Sequence, residues 1–146
     1  MDIETLLVDL QLVREANDNF SQKHGEEILQ IVEKEDMTAE ESLIQEILLE
    51  LSEKMERVSQ IIEYLGMEIT EEGMLNSDDN GTILFNGKKL PLMKEIEVYI
   101  HDEELQRNIW TRTFISISDD GEFPYLAGLD QRLEINRMRA RIRGSK

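Results

Sequence analysis

The chain has 146 residues, of which 40% are apolar, and its formal net charge is −16. That length and apolar content suit one ordinary domain, or a small domain with a helical appendage, and disfavour a disordered chain. Because the chain has no cysteine, disulfides, thiolate zinc sites and cysteine nucleophiles are excluded.

The same features bear on the location of the protein. No stretch approaches the ~20 consecutive apolar residues that cross a bilayer. The N-terminus has no basic segment followed by an apolar run, and nothing in the composition indicates an oxidising compartment. We therefore expect a cytoplasmic protein that neither spans a membrane nor is secreted.

The negative charge belongs to one half of the chain. Residues 1–75 hold 20 acidic residues against 5 basic ones, whereas residues 76–146 hold 12 against 11. Such asymmetry governs solubility and the choice of partners rather than the fold. It argues against binding of a phosphate backbone by the first half.

The first segment, from Ile3 to Val32, is predicted to form one long helix. Its apolar residues recur at three- and four-residue intervals, and Asp2 is placed to cap the start. Helix propensity drops around Asn17 and at Gly25, so a kink or short break is expected there.

A second helix is predicted to begin after Thr38 and to end at Gly66. Thr38 and Glu41 have the spacing of a capping box, in which each side chain accepts a hydrogen bond from the backbone of the other residue. Apolar residues then recur with helical period as far as Leu65. Gly66 suits a left-handed helix end.

Two long helices joined by a few residues predict an antiparallel, coiled-coil-like hairpin, which we assign to residues 1–72. Since each helix has an apolar stripe to bury, the hairpin is expected to pack on the second half or, as a homodimer, on its own copy. The connection between the helices gathers five carboxylates around Lys34: Glu33, Glu35, Asp36, Glu40 and Glu41. This acidic tip is either a solvated turn or a prong that binds a basic protein surface.

Beyond Gly73 the helical period stops and short β-rich runs follow, separated by predicted turns such as Asp79-Asn80-Gly81 and Asn86-Gly87. The predicted strands are 82–86, 95–100, 110–118, 125–129 and 137–143. We expect an α+β protein in which residues 76–146 form a small five-stranded SH3-like or OB-like β-barrel.

Several motifs of this half occur in the order found in a known family. They are Gly81-x-Ile83-x-x-Asn86-Gly87, Ile96-Glu97-Val98, Trp110, Tyr125-Leu126-x-Gly128-Leu129 and Arg139-x-Arg141-Ile142. In this order the C-terminal half resembles a family of small domains of unknown function carried by phages, plasmids and conjugative elements. The resemblance implies a barrel fold and a mobile-element context. It implies no mechanism, because the family has no assigned activity.

Four arginines alternate with apolar residues near the end of the chain: Arg137, Arg139, Arg141 and Arg143. In a strand, alternate residues face opposite sides, so the arginines of this basic strand should lie on one face and the apolar residues on a core. We expect the arginines to face the acidic helices of the same or a neighbouring chain. A partner-binding role is the close second, with nucleic acid as one such partner.

Trp110, Arg112 and Phe114 are predicted to share one face of a strand. If exposed, that face would suit base stacking, and if buried it would be barrel core. We favour core, because a small barrel needs its large aromatic side chains inside.

No catalytic residue, cofactor or metal site is predicted. The run from Asn76 to Ile83 matches the start of a calcium-binding loop, but Gly87 stands where that loop needs a glutamate, so a β-turn is expected. The chain also lacks a phosphate-binding glycine loop, a nucleophile elbow and a Walker lysine.

Charge and architecture together favour a non-enzymatic protein-interaction module with a basic protein partner. A sharper form of this hypothesis is an inhibitor that imitates the charge of nucleic acid and blocks a nucleic-acid-binding or defence complex. The alternative is a nucleic-acid-binding β-barrel that uses the basic strand, which the remaining acid of the chain disfavours.

Overall fold

The computed structural model describes residues 2–130 and 133–144. The chain divides into two compact units, a helical unit, Met1–Met67, and a sheet unit, Glu68–Lys146. The predicted α+β class is confirmed. The helical unit ends before residue 72, the predicted bound, because a strand already begins at Glu68.

The helical unit consists of α1, Ile3–Val32, and α2, Ala39–Gly66. Both predicted caps are confirmed: Asp2 accepts from the Thr5 amide at 2.8 Å, and Thr38 and Glu41 form the complete capping box. α1 runs through Gly25 as one helix, without the expected break. The left-handed end predicted at Gly66 is wrong, because Gly66 is still helical and Met67 is extended and leads directly into the sheet.

Polar contacts between the two helices fix their direction. They are Asn17 Nδ2 to the Met55 carbonyl at 3.5 Å and Arg14 Nη2 to Glu63 Oε1 at 3.4 Å. In the connection after α1, Lys34 Nζ contacts Glu41 Oε1 of α2 at 2.6 Å. The residue nearer the start of α1 contacts the residue nearer the end of α2, so the predicted antiparallel hairpin is confirmed.

The sheet unit is one curled, antiparallel sheet that forms a half-barrel. Its strands are β1, Glu68–Ser77; β2, Ile83–Phe85; β3, Lys88–Lys89; β4, Glu95–Asp102; β5, Arg107–Ile117; β6, Pro124–Leu126; and β7, Met138–Gly144. They lie in the order β3-β2-β1-β7-β4-β5-β6. The prediction of a five-stranded barrel is therefore wrong in strand number and in barrel type.

β1 is the main strand that the sequence did not predict. Most of its ten residues are exposed and it has no run of apolar residues, which leaves no local strand signal. β1 forms because it pairs with β7 on one side and β2 on the other. Gly73 in its middle lets Asn86 approach: a Cβ there would lie 1.7 Å from Asn86 Oδ1, an atom that accepts from the Met74 amide.

Two predicted turns connect the strands next to β2. Asn86 and Gly87 have φ of 49° and 79°, as a tight two-residue hairpin turn requires. In the turn before β2, Asp78 Oδ1 accepts from the amides of Asn80 at 2.9 Å and Thr82 at 2.8 Å. The Gly81 amide also donates to the Asp78 carbonyl at 3.0 Å, which is the backbone hydrogen bond of a β-turn, so the predicted β-turn is confirmed.

The core of the sheet unit lies on one face of the strands. Its buried residues are Leu75, Ile83, Phe85, Leu90, Ile96, Val98, Ile115, Leu126, Met138, Ala140 and Ile142. On β7 the core residues alternate with Arg139, Arg141 and Arg143, as predicted, and we call the opposite side of the sheet the arginine face. Trp110 and Phe114 lie on that face, half-buried, because in β5 it is Thr113 and Ile115 that point to the core. The expectation that Trp110 and Phe114 fill the barrel core is therefore wrong.

Candidate interaction surfaces

The acidic tip lies where α1 ends and α2 begins. Glu33 is the C-cap residue of α1, and its amide donates to the Leu29 carbonyl at 3.0 Å. Four of the five carboxylates are exposed, namely Glu33, Glu35, Asp36 and Glu40. Among residues 2–130 and 133–144, these four side chains have no ion pair and no hydrogen bond.

Glu41, the fifth residue of the tip, has a structural role. Its Oε1 accepts from the Lys34 ammonium at 2.6 Å, and its Oε2 accepts from the Thr38 amide at 2.9 Å. The hydrogen bond from Lys34, followed by that from the Thr38 backbone, lowers the pKa of Glu41 to about 2. Glu41 therefore holds the start of α2, and the exposed charge of the tip comes from the other four carboxylates.

The basic strand begins one residue later than predicted. Arg137 precedes β7 and has φ of 64°, so it lies in a turn rather than in the strand. Its amide donates to the Leu75 carbonyl at 2.9 Å and to Asn76 Oδ1 at 3.2 Å. Arg137 is thus fixed by its backbone at the entry to β7, and the arginine face holds the remaining three.

Those three arginines have carboxylate partners on the sheet itself. Arg141 Nε donates to Oε2 of Glu97, and Arg143 Nε donates to Oε1 of the same carboxylate at 2.6 Å. Arg139 Nη2 donates to Glu72 Oε1 at 2.7 Å. The register explains these contacts, because Arg141 lies directly opposite Glu97 of β4 and Glu72 of β1. Arg143 and Arg139 lie two positions to either side of Arg141 and reach Glu97 and Glu72 diagonally. The basic strand is therefore matched by acid within its own unit.

Glu97 is the centre of this arrangement. Its residue surface is only 7% exposed, although it lies on the arginine face and between Ile96 and Val98 of the core. Burial alone would raise the pKa of Glu97, but the hydrogen bonds from Arg143 and Arg141 outweigh it and hold the pKa below its ordinary value. Glu97 stays ionised and binds two guanidinium groups at once.

Aromatic rings line the same face. The rings of Tyr99 and Trp110 lie 5.1 Å apart, and the Arg141 guanidinium lies 4.1 Å from the centre of the Trp110 ring. Arg139 lies 5.1 Å from the Tyr99 ring and 5.5 Å from Trp110. At these distances the cations are attracted to the ring faces. The arginines therefore cover the aromatic surface that base stacking would need.

Sequence reasoning singled out the arginines but missed their partners, Glu72, Glu97 and Tyr99. The available signal was weak: a single carboxylate, Glu97, inside the apolar run of β4. Its pairing with Arg141 and Arg143 spans 44 and 46 residues of chain. Only the strand order makes such residues neighbours.

Other kinds of site were sought in the part of the chain that the structure describes. No group of three or more His, Asp or Glu side chains there could hold a metal ion. No described helix has the length and apolar character needed to cross a bilayer.

Comparisons with protein-family models, with curated proteins and with solved structures gave no match to this chain. The resemblance of the C-terminal half to small phage and plasmid domains therefore stays a prediction.

Proposed function

We propose that the protein is a non-enzymatic interaction module that binds a basic surface of another protein through its acidic tip. One contrast carries the proposal. The arginines of β7 have carboxylate partners in their own sheet, whereas Glu33, Glu35, Asp36 and Glu40 have none among the described residues. Of these two charged groups, the tip keeps its negative charge unpaired within the described residues, whereas the positive charge of β7 is matched within its own sheet.

The position of the tip carboxylates supports this proposal. Glu33 caps the C-terminus of α1, where the helix dipole makes a negative charge unfavourable by ~0.3–1 kcal/mol. Glu40 and Glu41, in contrast, lie in the first turn of α2, where the same dipole favours acid. Helix stability therefore accounts for the acid on one side of the tip but not for Glu33 on the other.

The overall charge of the unit points the same way. Residues 1–67 hold 17 acidic against 5 basic residues, which leaves −12, while residues 68–146 hold 15 against 11, which leaves −4. A strongly negative unit attracts basic partners at a distance and speeds their association. A nuclease or defence complex that grips duplex DNA, which carries a charge every ~1.7 Å, is one such partner. In this form the protein is a cytoplasmic, phage- or plasmid-encoded inhibitor that acts by charge mimicry.

The alternative, a nucleic-acid-binding sheet, is less well supported. Arg139, Arg141 and Arg143 would have to exchange Glu72 and Glu97 for phosphates. Two carboxylates beside the proposed phosphate site would also repel the ligand.

The test compares two variants of equal net charge. The tip variant carries Glu33→Gln, Glu35→Gln, Asp36→Asn and Glu40→Gln and keeps Glu41, which supports the cap. The control variant changes four acidic residues elsewhere in the helical unit: Glu4→Gln, Glu15→Gln, Glu46→Gln and Glu53→Gln. Both are used as bait in cell extract treated with nuclease, and captured proteins are identified by mass spectrometry at low and moderate salt.

The proposal expects a basic protein that wild type and the control variant both capture, that the tip variant loses, and that moderate salt releases. Equal capture by both variants would mean that total charge, and not the tip, binds the partner. A parallel capture uses extract that was not treated with nuclease. If wild type captures nucleic acid there and a variant with Arg139→Gln and Arg143→Gln does not, the alternative is favoured.

A further inference from the structure

The seam between α1 and α2 is marked by the less exposed residues of each helix. In α1 they include Leu7, Arg14 and Ile28, and in α2 they include Leu48, Met55 and Ile62. Within each set the residues are separated by seven positions or a multiple of seven. The α2 repeat is unbroken, whereas the α1 repeat is interrupted at Ser21, which is exposed. Seven-residue repeats that face each other are the pattern of a coiled coil.

A second seven-residue repeat remains uncovered on each helix. Its members are Leu6, Val13 and Phe20 in α1, and Ile44, Leu51, Val58 and Leu65 in α2. All seven side chains are large and apolar, and all are 42 to 50% exposed. We call these seven residues the apolar stripe. A heptad repeat of exposed apolar residues indicates a coiled-coil interface whose partner helix is not present among the described residues.

Both halves of the apolar stripe lie on one side of the hairpin. Stripe residues of α1 precede a seam residue by one position, as Val13 precedes Arg14. Those of α2 follow a seam residue by three, as Leu51 follows Leu48 and Val58 follows Met55. At ~100° per residue, one position back is a rotation of about −100° around the helix axis. Three positions forward is a rotation of about +300°, which is equivalent to −60°, so both offsets have the same rotational sense. Because the helices are antiparallel, the same sense brings both halves to one side.

Glu27 occupies the heptad position after Phe20 and ends the α1 half of the stripe. The acidic residues that directly follow seam residues lie on the other side of the hairpin. Glu15, Glu56 and Glu63 each follow a seam residue by one position, so they turn away from it in the opposite sense.

A further series in α2 lies three positions after the stripe residues and consists of Ile47, Lys54 and Ile61. Its one charged residue is Lys54, whose ammonium pairs with Glu50 at 2.5 Å. A basic partner would therefore be drawn to the opposite side, and the stripe calls for an apolar partner of low charge.

The size of the stripe suits an interface at the small end of the usual range. Its α2 half runs for ~30 Å from Ile44 to Leu65 and its α1 half for ~20 Å from Leu6 to Phe20, at 1.5 Å per residue, and each helix is ~10 Å wide. The resulting area of ~500 Å² on each partner lies near the lower bound of ~600 Å² per partner for a specific protein–protein interface.

We propose that the apolar stripe binds the apolar stripe of a second copy of this chain, so that two hairpins form a four-helix bundle. A second copy supplies a stripe of the same length, the same heptad spacing and the same low charge, and closed two-fold pairing brings each stripe against its equivalent. The acidic sides of the two hairpins then remain on the outside. This inference does not depend on the proposed function of the acidic tip.

The test measures the mass of the full-length chain in solution by analytical ultracentrifugation over a range of concentrations. The stripe variant carries Leu51→Gln and Val58→Gln. Its matched control carries Leu12→Gln and Leu49→Gln, which are also exposed apolar residues, 60% and 40%, but lie outside the stripe. We expect a dimer for wild type and control, and a dissociation constant about a hundredfold higher or more for the stripe variant.

A variant that dimerises more tightly is also needed, because loss of the dimer in the stripe variant could result from misfolding, whereas tighter dimerisation could not. Lys54→Leu makes the series of residues 47, 54 and 61 beside the stripe wholly apolar and is expected to tighten the dimer about tenfold. A wild-type chain that stays monomeric with full helical content would overturn the proposal. Equal dissociation of the stripe and control variants, or no tightening by Lys54→Leu, would also overturn it.

Salt separates this inference from the proposed function. Two hairpin units of −12 each repel one another, so added salt should strengthen the dimer. Binding of a basic partner at the acidic tip should weaken under the same conditions. A dimer that salt weakens would contradict the apolar stripe as the interface, whatever the outcome at the tip.

Discussion

Replacing Glu97 by glutamine tests the account of the arginine face most directly. The carboxylate is 7% exposed and binds Arg141 and Arg143, whose side chains are 17% and 21% exposed. Hydrogen bonds to charged groups contribute ~1.5–3 kcal/mol each, and removing one member of a buried ion pair costs ~3–5 kcal/mol. Since the amide oxygen keeps part of one bond, we expect Glu97→Gln to lower the free energy of unfolding by ~3 kcal/mol.

The matched control is Glu72→Gln on the same face. Glu72 and Arg139 are 47% and 50% exposed, so their ion pair contributes at most ~1 kcal/mol. Urea unfolding is followed by the fluorescence of Trp110, the single tryptophan, whose ring lies 4.1 Å from the Arg141 guanidinium. With a denaturant dependence of ~1–3 kcal/mol per molar urea, Glu97→Gln should lower the midpoint by ~1–3 M. A loss below ~1 kcal/mol, or one equal to that of Glu72→Gln, would refute the central role of Glu97.

The effect of Glu97 should also depend on pH. Its pKa in the folded protein is lower than in the unfolded chain, where a glutamate titrates near ~4.3, so its contribution is fully present above that value. The contribution is lost as pH falls through the lower, folded pKa. The difference in stability between wild type and Glu97→Gln should therefore shrink in acid, and a difference that stays constant would contradict the ionised state of Glu97.

Three further substitutions test single contacts. Gly73→Ala places a Cβ 1.7 Å from Asn86 Oδ1 and should cost ~2 kcal/mol in urea unfolding, and a neutral effect would exclude the close approach. Gly25→Ala, with nothing within 4 Å of the added Cβ, should stabilise α1 by ~1 kcal/mol in thermal melts followed by circular dichroism, unless the helix is broken there. Lys34→Met should raise the pKa of Glu41 from about 2 towards its ordinary value in an NMR titration, and an unchanged pKa would show that Lys34 is not its main partner.

The sequence by itself determined the features that depend on near neighbours in the chain. Asp2 and the Thr38–Glu41 capping box set the starts of both helices, and the Asn86-Gly87 turn joins β2 to β3. Apolar residues at three- and four-residue intervals likewise predicted two long helices, and the short connection between them predicted that they pair. All of these signals connect residues within a few positions, because one helical turn or one tight turn is the range of the interaction.

The tertiary structure alone decided which distant segments become neighbours. β1 has little strand signal, and it forms because β7 and β2 supply hydrogen-bond partners on both sides. Glu97 gives no local sign of its two arginines, since the strand order sets β4 beside β7 across 44 residues. The alternation of Arg139, Arg141 and Arg143 was readable from the sequence, but the acid that neutralises them was not. The physical reason is that a side-chain pattern fixes which face of a strand a residue occupies, whereas pairing between strands fixes what it meets there.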